Sequence, residues 1–401
     1  MKNLYRLLST MFSIPVFVMV FFIISGIHSI YANDNIVDLE KSVSDMHNDT
    51  AKVNVLLTLG EHYCSIENDK ALMYLQEAFT ISTSKNYTIG IGKSLLWQGR
   101  VYYYKDDYPL AVKYLDKAKK VLETTDELNT LAFIYFAKAE ISRIRGDFIH
   151  ALEMYREAIN LTEKTGNTKF RALYYSGIGR VLLDRKDTEK ALGYFMETLN
   201  IQKTIGDQQG MSNTLTSIGI SYEELGELDS SLTYHNLALK IRTDLKMYRL
   251  IASSEYHKSG VLIKMGKYVQ AEKSLQIALK NFIKLEEKTG IIITSLRLAV
   301  ARNRQEKPNA IESAEKALLM AKNIKNPNLI SHAYKILSDI YFFNNNYKES
   351  YIYLEKHKAL QDSLFSTEKE RILAEIEEKY QSELKDNKIA LLKEKSRIQE
   401  N

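Results

Sequence analysis

An all-α fold is what this sequence predicts: an α-solenoid of about eight stacked helix-turn-helix repeats, followed by a long C-terminal helix. Three observations predict it. The first is a column of mostly small residues, Gly60, Gly99, Ala139, Gly179, Gly219, Ser259, Leu298 and Ser338, each 39 or 40 residues after the one before. The second is another such column eleven or twelve residues further on, Ala71, Ala111, Ala151, Ala191, Ser231, Ala271, Ala310 and Ser350. The third is the scarcity of helix breakers, four prolines in 401 residues, beside an apolar fraction of 45% that suffices for a continuous core. Two helices cross at close range only where neither carries a bulky side chain. A two-helix unit cannot bury its apolar face alone, so copies of it stack.

Met1 to Ala32 differs from everything after it. Lys2 and Arg6 precede an apolar run, Ile14 to Ile24, which is followed by Ser25, Gly26 and a small residue at Ala32. That is the three-part layout of a secretory signal peptide, and its core is short beside the ~20 residues of a membrane span. The expectation is export to a periplasmic or cell-envelope location with cleavage near Ala32. An uncleaved membrane anchor is the alternative. The single cysteine, Cys64, reads as a small buried hydrophobe of the first repeat. Residues 33–52 carry Ile36, Val37, Leu39 and Val43 as one helical stripe, predicted to cap the open end of repeat one.

The repeats run over residues 53–365, starting near 53, 92, 132, 172, 212, 252, 291 and 331. Large residues flank the small ones: Tyr63, Tyr102, Tyr222, Leu262 and Tyr341 after the first column, Leu75, Leu115, Tyr155, Phe195, Leu275 and Leu354 after the second. A third small column follows at Ala78, Ala118, Ala158, Ala238, Ala278 and Ala317. Pro109 and Pro308 fall where a second helix should start, a place where a missing N–H costs nothing, and Pro327 falls in the expected turn before repeat eight. Repeat seven is the weakest, with Leu298, Ala301 and Ala314 in place of a glycine and two aromatics, and is the expected place for a kink.

This pattern resembles the tetratricopeptide repeat, as Leu56, Leu59, Gly60, Tyr63, Ala71, Leu75 and Ala78 show in one copy. The resemblance covers eight tandem units, Val53 to Leu364, and fits a subclass with a period near 40 residues rather than the thirty-four of the common form. It implies a right-handed solenoid whose first helices line a concave face, where protein or peptide partners are held without catalysis.

Residues 366–401 are dense in Glu and Lys, lack Gly and Pro, and carry Leu373, Ile376, Tyr380, Leu384, Leu391 and Ile398 as a loose apolar stripe. A continuous helix there would be ~54 Å long. Such a helix is marginal alone in water, so pairing with a second copy as a coiled-coil-like homodimer is expected; a solvated tail is the alternative.

A catalytic constellation is missing from the sequence. It holds no phosphate-cradling G-x4-G-K-[ST], no H-E-x2-H, no G-x-S-x-G and no His/Cys cluster at metal spacing, so no enzyme, cofactor or metal is predicted. His235 and His357 read as helix residues of the packing, and the pairs Glu223–Glu224 and Asp106–Asp107 as ordinary solvated positions. A net charge of +5 over this length, with no basic stripe interleaved with aromatics, argues against nucleic acid.

If the first helices line the inner face, the residue after each first-column position points into it. That column reads Glu61, Arg100, Glu140, Arg180, Ile220, Gly260, Ala299 and Asp339. Two readings of its alternating charges stand side by side. In one, Arg100 and Arg180, helped by Tyr103, Tyr104 and Arg143, grip an acidic peptide, and reversing both arginines to glutamate abolishes capture without unfolding the array. In the other, the same charges, including the Glu140 that the first reading also counts on the partner-binding face, satisfy one another as an ion-pair ladder that sets superhelical pitch, with each exposed pair contributing only ~0–1 kcal/mol. The later repeats offer a more apolar surface of Ile220, Tyr256, Ile263, Phe342 and Phe343 with Arg302 and Lys335 beside it. The function expected is an exported scaffold for protein or peptide partners in signalling or complex assembly. The alternative is the sensory half of a sensor kinase or one-protein regulator, whose layout the order of signal peptide, long-period repeats and charged helix resembles.

Overall fold

A computed structural model describes residues 31–364 and residue 366, and within them the chain forms helices and turns with no strand. The expected signal peptide and the expected C-terminal helix lie outside those residues, apart from positions 31, 32 and 366. The chain divides into two compact units between Leu285 and Glu286, at the start of the seventh repeat.

The first unit opens on α1 (Tyr31–Val43). It covers the end of the stack by burying Ile36 and Val43 against Val53 and Leu56, and it is pinned by Glu40, which accepts from the Tyr74 hydroxyl at 2.9 Å and pairs with Lys70 at 2.7 Å. Two details differ from expectation. Val37 is 46% exposed rather than part of the buried stripe. The helix also ends at Val43, and Lys52 belongs to the next one, because Asp49 caps that helix by accepting from the Ala51 and Lys52 N–H groups.

Six helix pairs follow: α2 (Thr50–Tyr63) with α3 (Asn68–Ser84), α4 (Thr88–Tyr104) with α5 (Tyr108–Leu122), and α6 (Leu128–Ile144) with α7 (Phe148–Thr165). Then come α8 (Thr168–Asp184) with α9 (Thr188–Thr204), α10 (Gln208–Glu224) with α11 (Leu228–Asp244), and α12 (Tyr248–Lys264) with α13 (Tyr268–Lys284). Within the first unit each helix packs on its neighbours in the chain, and each first helix also touches the first helix of the next repeat. The first helices therefore form one continuous face. The second unit holds α14 (Lys288–Asn303), α15 (Ala310–Asn323), α16 (Pro327–Phe343) and α17 over residues 347–364.

Ala71, Ala111, Ala151, Ala191 and Ala271 are fully buried, as close helix crossing requires. The first column does something more specific than thin the crossing: each of its glycines faces a large residue of the paired helix, Leu115 opposite Gly99, Phe195 opposite Gly179 and His235 opposite Gly219. A Cβ added at Gly179 would lie 2.6 Å from the Phe195 ring. Gly179→Ala is thus expected to cost about 1–3 kcal/mol through overpacking, read as a lower urea midpoint; an unchanged midpoint would show that Phe195 has room to move.

Most turns between helices carry one residue in the left-handed region. At 146, 166, 206, 226 and 266 it is glycine, but Asn86, Asp106, Lys186 and Lys246 also sit there, Lys246 at φ 55°. A left-handed residue with a Cβ costs about 1–2 kcal/mol, partly offset by the freedom glycine loses on folding. Lys246→Gly is therefore expected to stabilise the first unit by about 0.5–1 kcal/mol, seen as a raised urea midpoint, whereas a lowered one would mean that the lysine holds the turn.

The prolines sort themselves by position. Pro109 stands in the first turn of α5, as expected. Pro308 does not start α15 but precedes its N-cap Asn309 in the turn. Pro327 is the first residue of α16 rather than part of the turn before it, with Asn326 capping the Leu329 N–H. At Pro327 the Asn326 cap sets the boundary and the proline fits beside it, whereas Asn309 makes no side-chain cap hydrogen bond.

The core is not uniform along the first unit. In repeats three and four it is aromatic: the Phe136 ring lies 6.1 Å from Tyr155 and 5.7 Å from Tyr174, and Phe195 belongs to the same buried cluster. In repeats five and six the equivalent volume is polar: Ser212, Ser221, Ser231, Ser254, Ser259, His235 and Arg242 are all buried.

Candidate functional site

The first-helix face of repeats two to four places Arg100 on α4, Glu140 on α6 and Arg180 on α8 at one register. These positions are not open groove. Arg100 is 3% exposed, Glu140 0%, Arg143 4% and Arg180 7%. The expectation that Arg100 and Arg180 could both become glutamate without disturbing the array is therefore corrected. At position 180 a glutamate would stand against buried Glu140 with no counter-charge, at a cost of several kcal/mol.

Glu140 is the hub. One of its oxygens accepts from the Tyr155 hydroxyl and from Arg180 Nη2, the latter at 2.9 Å. The other accepts from Arg143 Nη2 at 3.3 Å, and Arg143 Nη1 donates across to Asp184 Oδ2 at 2.6 Å. Burial by itself raises the Glu140 carboxyl, but Arg180, Arg143 and Arg100 outweigh it and hold the group below the ordinary carboxylate value. Burial raises the Asp184 carboxyl despite its contact with Arg143. The second reading of the sequence, mutually satisfied ion pairs, thus describes Glu140, Arg143 and Arg180, with Asp184 and Tyr155 as partners the charge pattern did not reveal. Asp184 follows Arg143 by 41 residues, so a search for opposite charges one repeat apart would have found it. Lys186 with Glu224 and Lys264 with Glu223 repeat the theme between neighbouring repeats, at 3.1 and 2.8 Å.

Arg100 stands apart from this network. Its Nη2 donates to the Tyr104 hydroxyl at 2.8 Å, and its guanidinium lies 5.3, 5.1 and 5.6 Å from the Tyr103, Tyr104 and Phe133 ring centres. Its Nε and Nη1 are buried without a hydrogen-bond partner, as are Nε and Nη1 of Arg180 and Nε of Arg143. Tyr103 and Tyr104 are themselves half-buried.

Further along, Tyr256 is buried and edge-on to His257, Ile263 is buried and Ile220 half-buried. The expected apolar surface is therefore largely core in the first unit. In the second unit Phe342 is 58% and Phe343 38% exposed, Arg302 is half-buried, and Lys335 pairs with Asp339 at 2.8 Å. His357 is half-buried against Ser331, its Nδ1 2.9 Å from the hydroxyl.

A second charged feature escaped the sequence reading. Arg242, on α11, is 1% exposed and ties three helices together: Nε to Ser212 Oγ and Nη2 to Asn213 Oδ1 on α10, Nη1 to Ser254 Oγ and the Leu250 carbonyl on α12. All of its acceptors are neutral, and burial pulls its pKa down to about 10. The same column carries Leu122 and Phe282 in other repeats, so aligning it would have exposed the anomaly.

The general pattern of the tetratricopeptide repeat matches residues 170–244. Photosystem I assembly protein Ycf3 from Acaryochloris marina is 30% identical over 126 residues, which is 31% of this chain and 72% of that protein. Among solved structures, a Rap protein complexed with Competence and Sporulation Factor is similar with TM-score 0.62 at 13% identity, over 84% of this chain and 94% of that one. Aspartyl phosphate phosphatase F from Bacillus subtilis gives 0.59 at 12% identity, over 82% and 93%. A signal-transduction ATPase with a tetratricopeptide repeat sensor from Pyrococcus horikoshii gives 0.56 at 17%, over 79% and 52%. With its small-residue columns buried at the helix crossings and its helix pairs stacked in register, this chain belongs to the tetratricopeptide repeat family.

Proposed function

We propose that this protein is a non-catalytic scaffold that holds a protein or peptide partner along the face formed by its first helices. The observation that carries the reading is that consecutive first helices of the first unit touch one another and so form one continuous face, along which a partner can be addressed by several repeats at once. The fold shared with a Rap protein complexed with Competence and Sporulation Factor is in keeping with it. The test is a photo-cross-linker placed singly at Tyr103 or Ile220 on first helices and at Ile149 or Val269 on second helices, in the source cells. The expected result is one partner, identified by mass spectrometry, joined from the first-helix positions only. Equal yields from both sets would overturn the reading.

The leader pattern of residues 1–32 supports a location in the cell envelope for this scaffold. The mature protein should begin near residue 33 on N-terminal sequencing; an intact Met1 terminus in a membrane fraction would instead mean a retained anchor. A second reading, the sensory half of a signalling protein, is favoured by the charged segment after residue 365 and by the likeness to an ATPase with a repeat sensor. An apolar stretch of about 20 residues encoded downstream of Asn401, followed by an effector frame, would establish it.

A further inference from the structure

Four of the repeats carry tyrosine both three residues after the first small column and three residues after the second: Tyr63 with Tyr74, Tyr102 with Tyr114, Tyr222 with Tyr234 and Tyr341 with Tyr353. Three others carry it at neither place, having Ser142 and Met154, Leu262 and Ser274, Ala301 and Ser313. Repeat four alone breaks the rule, with Leu182 before Tyr194. The two positions change together because they meet across the helix pair. The rings lie 5.2 Å apart at 20° for Tyr102 and Tyr114, and 5.3 Å apart at 13° for Tyr222 and Tyr234. That is an offset stack, which brings ring carbons of the two phenols into van der Waals contact. Phenylalanine would stack as well, yet all eight residues are phenols.

Two of the four pairs use a hydroxyl for structure. In repeat one both rings are buried and Tyr74 donates to Glu40, and in repeat eight Tyr341 donates to Glu315 at 3.3 Å. In repeats two and five all four rings are half-buried. There burial, and after it the partner phenol, raise Tyr114 and Tyr222 above the ordinary tyrosine value, so these groups keep their protons. The chain has a single cysteine, Cys64, which is buried, so no disulfide within it can tie one helix to another. We propose that Tyr102 with Tyr114, and Tyr222 with Tyr234, are sites of oxidative cross-linking, joined as dityrosine by a peroxide acting in one-electron steps through a haem peroxidase. Each phenol gives up one electron and its hydroxyl proton. The two phenoxyl radicals couple through the ring carbons next to the oxygens, forming one C–C bond, and the hydrogen on each of those carbons moves to its oxygen to restore the phenol. The peroxide takes up the two electrons and two protons and leaves as two waters. The new bond staples the first helix of a repeat to the second and, like a disulfide, removes freedom from the unfolded chain.

Treatment of the full chain with hydrogen peroxide and a haem peroxidase tests this. On digestion, the peptide of Tyr102 should be found joined to that of Tyr114, and the peptide of Tyr222 to that of Tyr234, each product lighter by two hydrogens and carrying dityrosine fluorescence. The yield should hold on dilution, since both partners belong to one molecule. It should exceed by about tenfold or more the yield at Tyr175 and Tyr194, half-buried rings that meet edge-on at 76°, because coupling depends on how the reacting carbons are held. Tyr114→Phe, which keeps the ring and loses only the hydroxyl, should lose the first link and keep the second. The linked chain should unfold at a higher urea concentration than Tyr114→Phe/Tyr234→Phe treated in the same way. No link at either pair, equal yield at Tyr175 and Tyr194, links that vanish on dilution, or an unchanged urea midpoint in the linked chain would overturn the proposal.

Discussion

Glu140→Gln is expected to destabilise the first unit by about 3–5 kcal/mol, the usual consequence of removing one partner from a buried ionic cluster. The substitution keeps the shape and one carbonyl oxygen but takes away the only charge that Arg180 pairs with and one of the two that Arg143 pairs with. The loss should appear as a lower urea midpoint, with Glu157→Gln, at an exposed position of α7, leaving the midpoint where it was. Adding Arg180→Met to Glu140→Gln should recover part of the loss, because a methionine in that volume needs no counter-charge. A single variant as stable as the parent would mean that the carboxylate is not what balances the arginines. The folded carboxyl is held below 4.5 by its arginines. Its contribution is therefore full above that pH and is lost as the pH falls through the folded value.

His235→Leu is expected to remove most of an acid sensitivity that the parent shows between pH 6.5 and about 3. The ring is fully buried, stacked 5.8 Å from His257, and neither nitrogen has a hydrogen-bond partner. Burial, with the charges of Arg242 and Lys258, pulls its pKa from 6.5 down to about 3. Across that window the unfolded chain binds the proton and the folded chain does not, so stability rises with pH, by about 1.4 kcal/mol per pH unit for one such group. At pH 5 the parent should therefore have lost about 2 kcal/mol relative to pH 7.5 through this residue. Leucine, which other repeats carry at the equivalent positions Leu115 and Leu275, should also gain about 1–3 kcal/mol at neutral pH by removing two unsatisfied buried nitrogens. Urea midpoints of the parent and variant at both pH values give the answer; parallel pH profiles would show that the ring finds an acceptor or proton partner in solution.

The helices and their pairing were legible because the signal is redundant. A small residue at a crossing is repeated in register, so an exception such as Leu298 or Ser231 does not hide the column. The boundaries around Lys52 and Pro327 were less legible, since a single cap residue, Asp49 or Asn326, decides each of them. For the first-helix face the residues were legible but their depth was not. Arg100, Glu140 and Arg180 were placed on the right side of the stack, while Arg242 and the polar centre of repeats five and six were passed over as ordinary packing positions.

The repeat itself, the all-helical class and the face to which each charged residue belongs were determined by sequence alone, because 39- or 40-residue phasing and helical periodicity are properties of the string. Whether a charge on that face meets solvent, a carboxylate or nothing was decided only by the tertiary structure. Stacking brings residues 40 or 41 apart within 3 Å of one another, and the size of the side chains around them sets how much water is excluded. Arg180 and Arg100 occupy the same column, and it is the presence of Glu140 beside one and of tyrosine rings beside the other that makes the first an ionic strut between repeats and packs the second among aromatic rings.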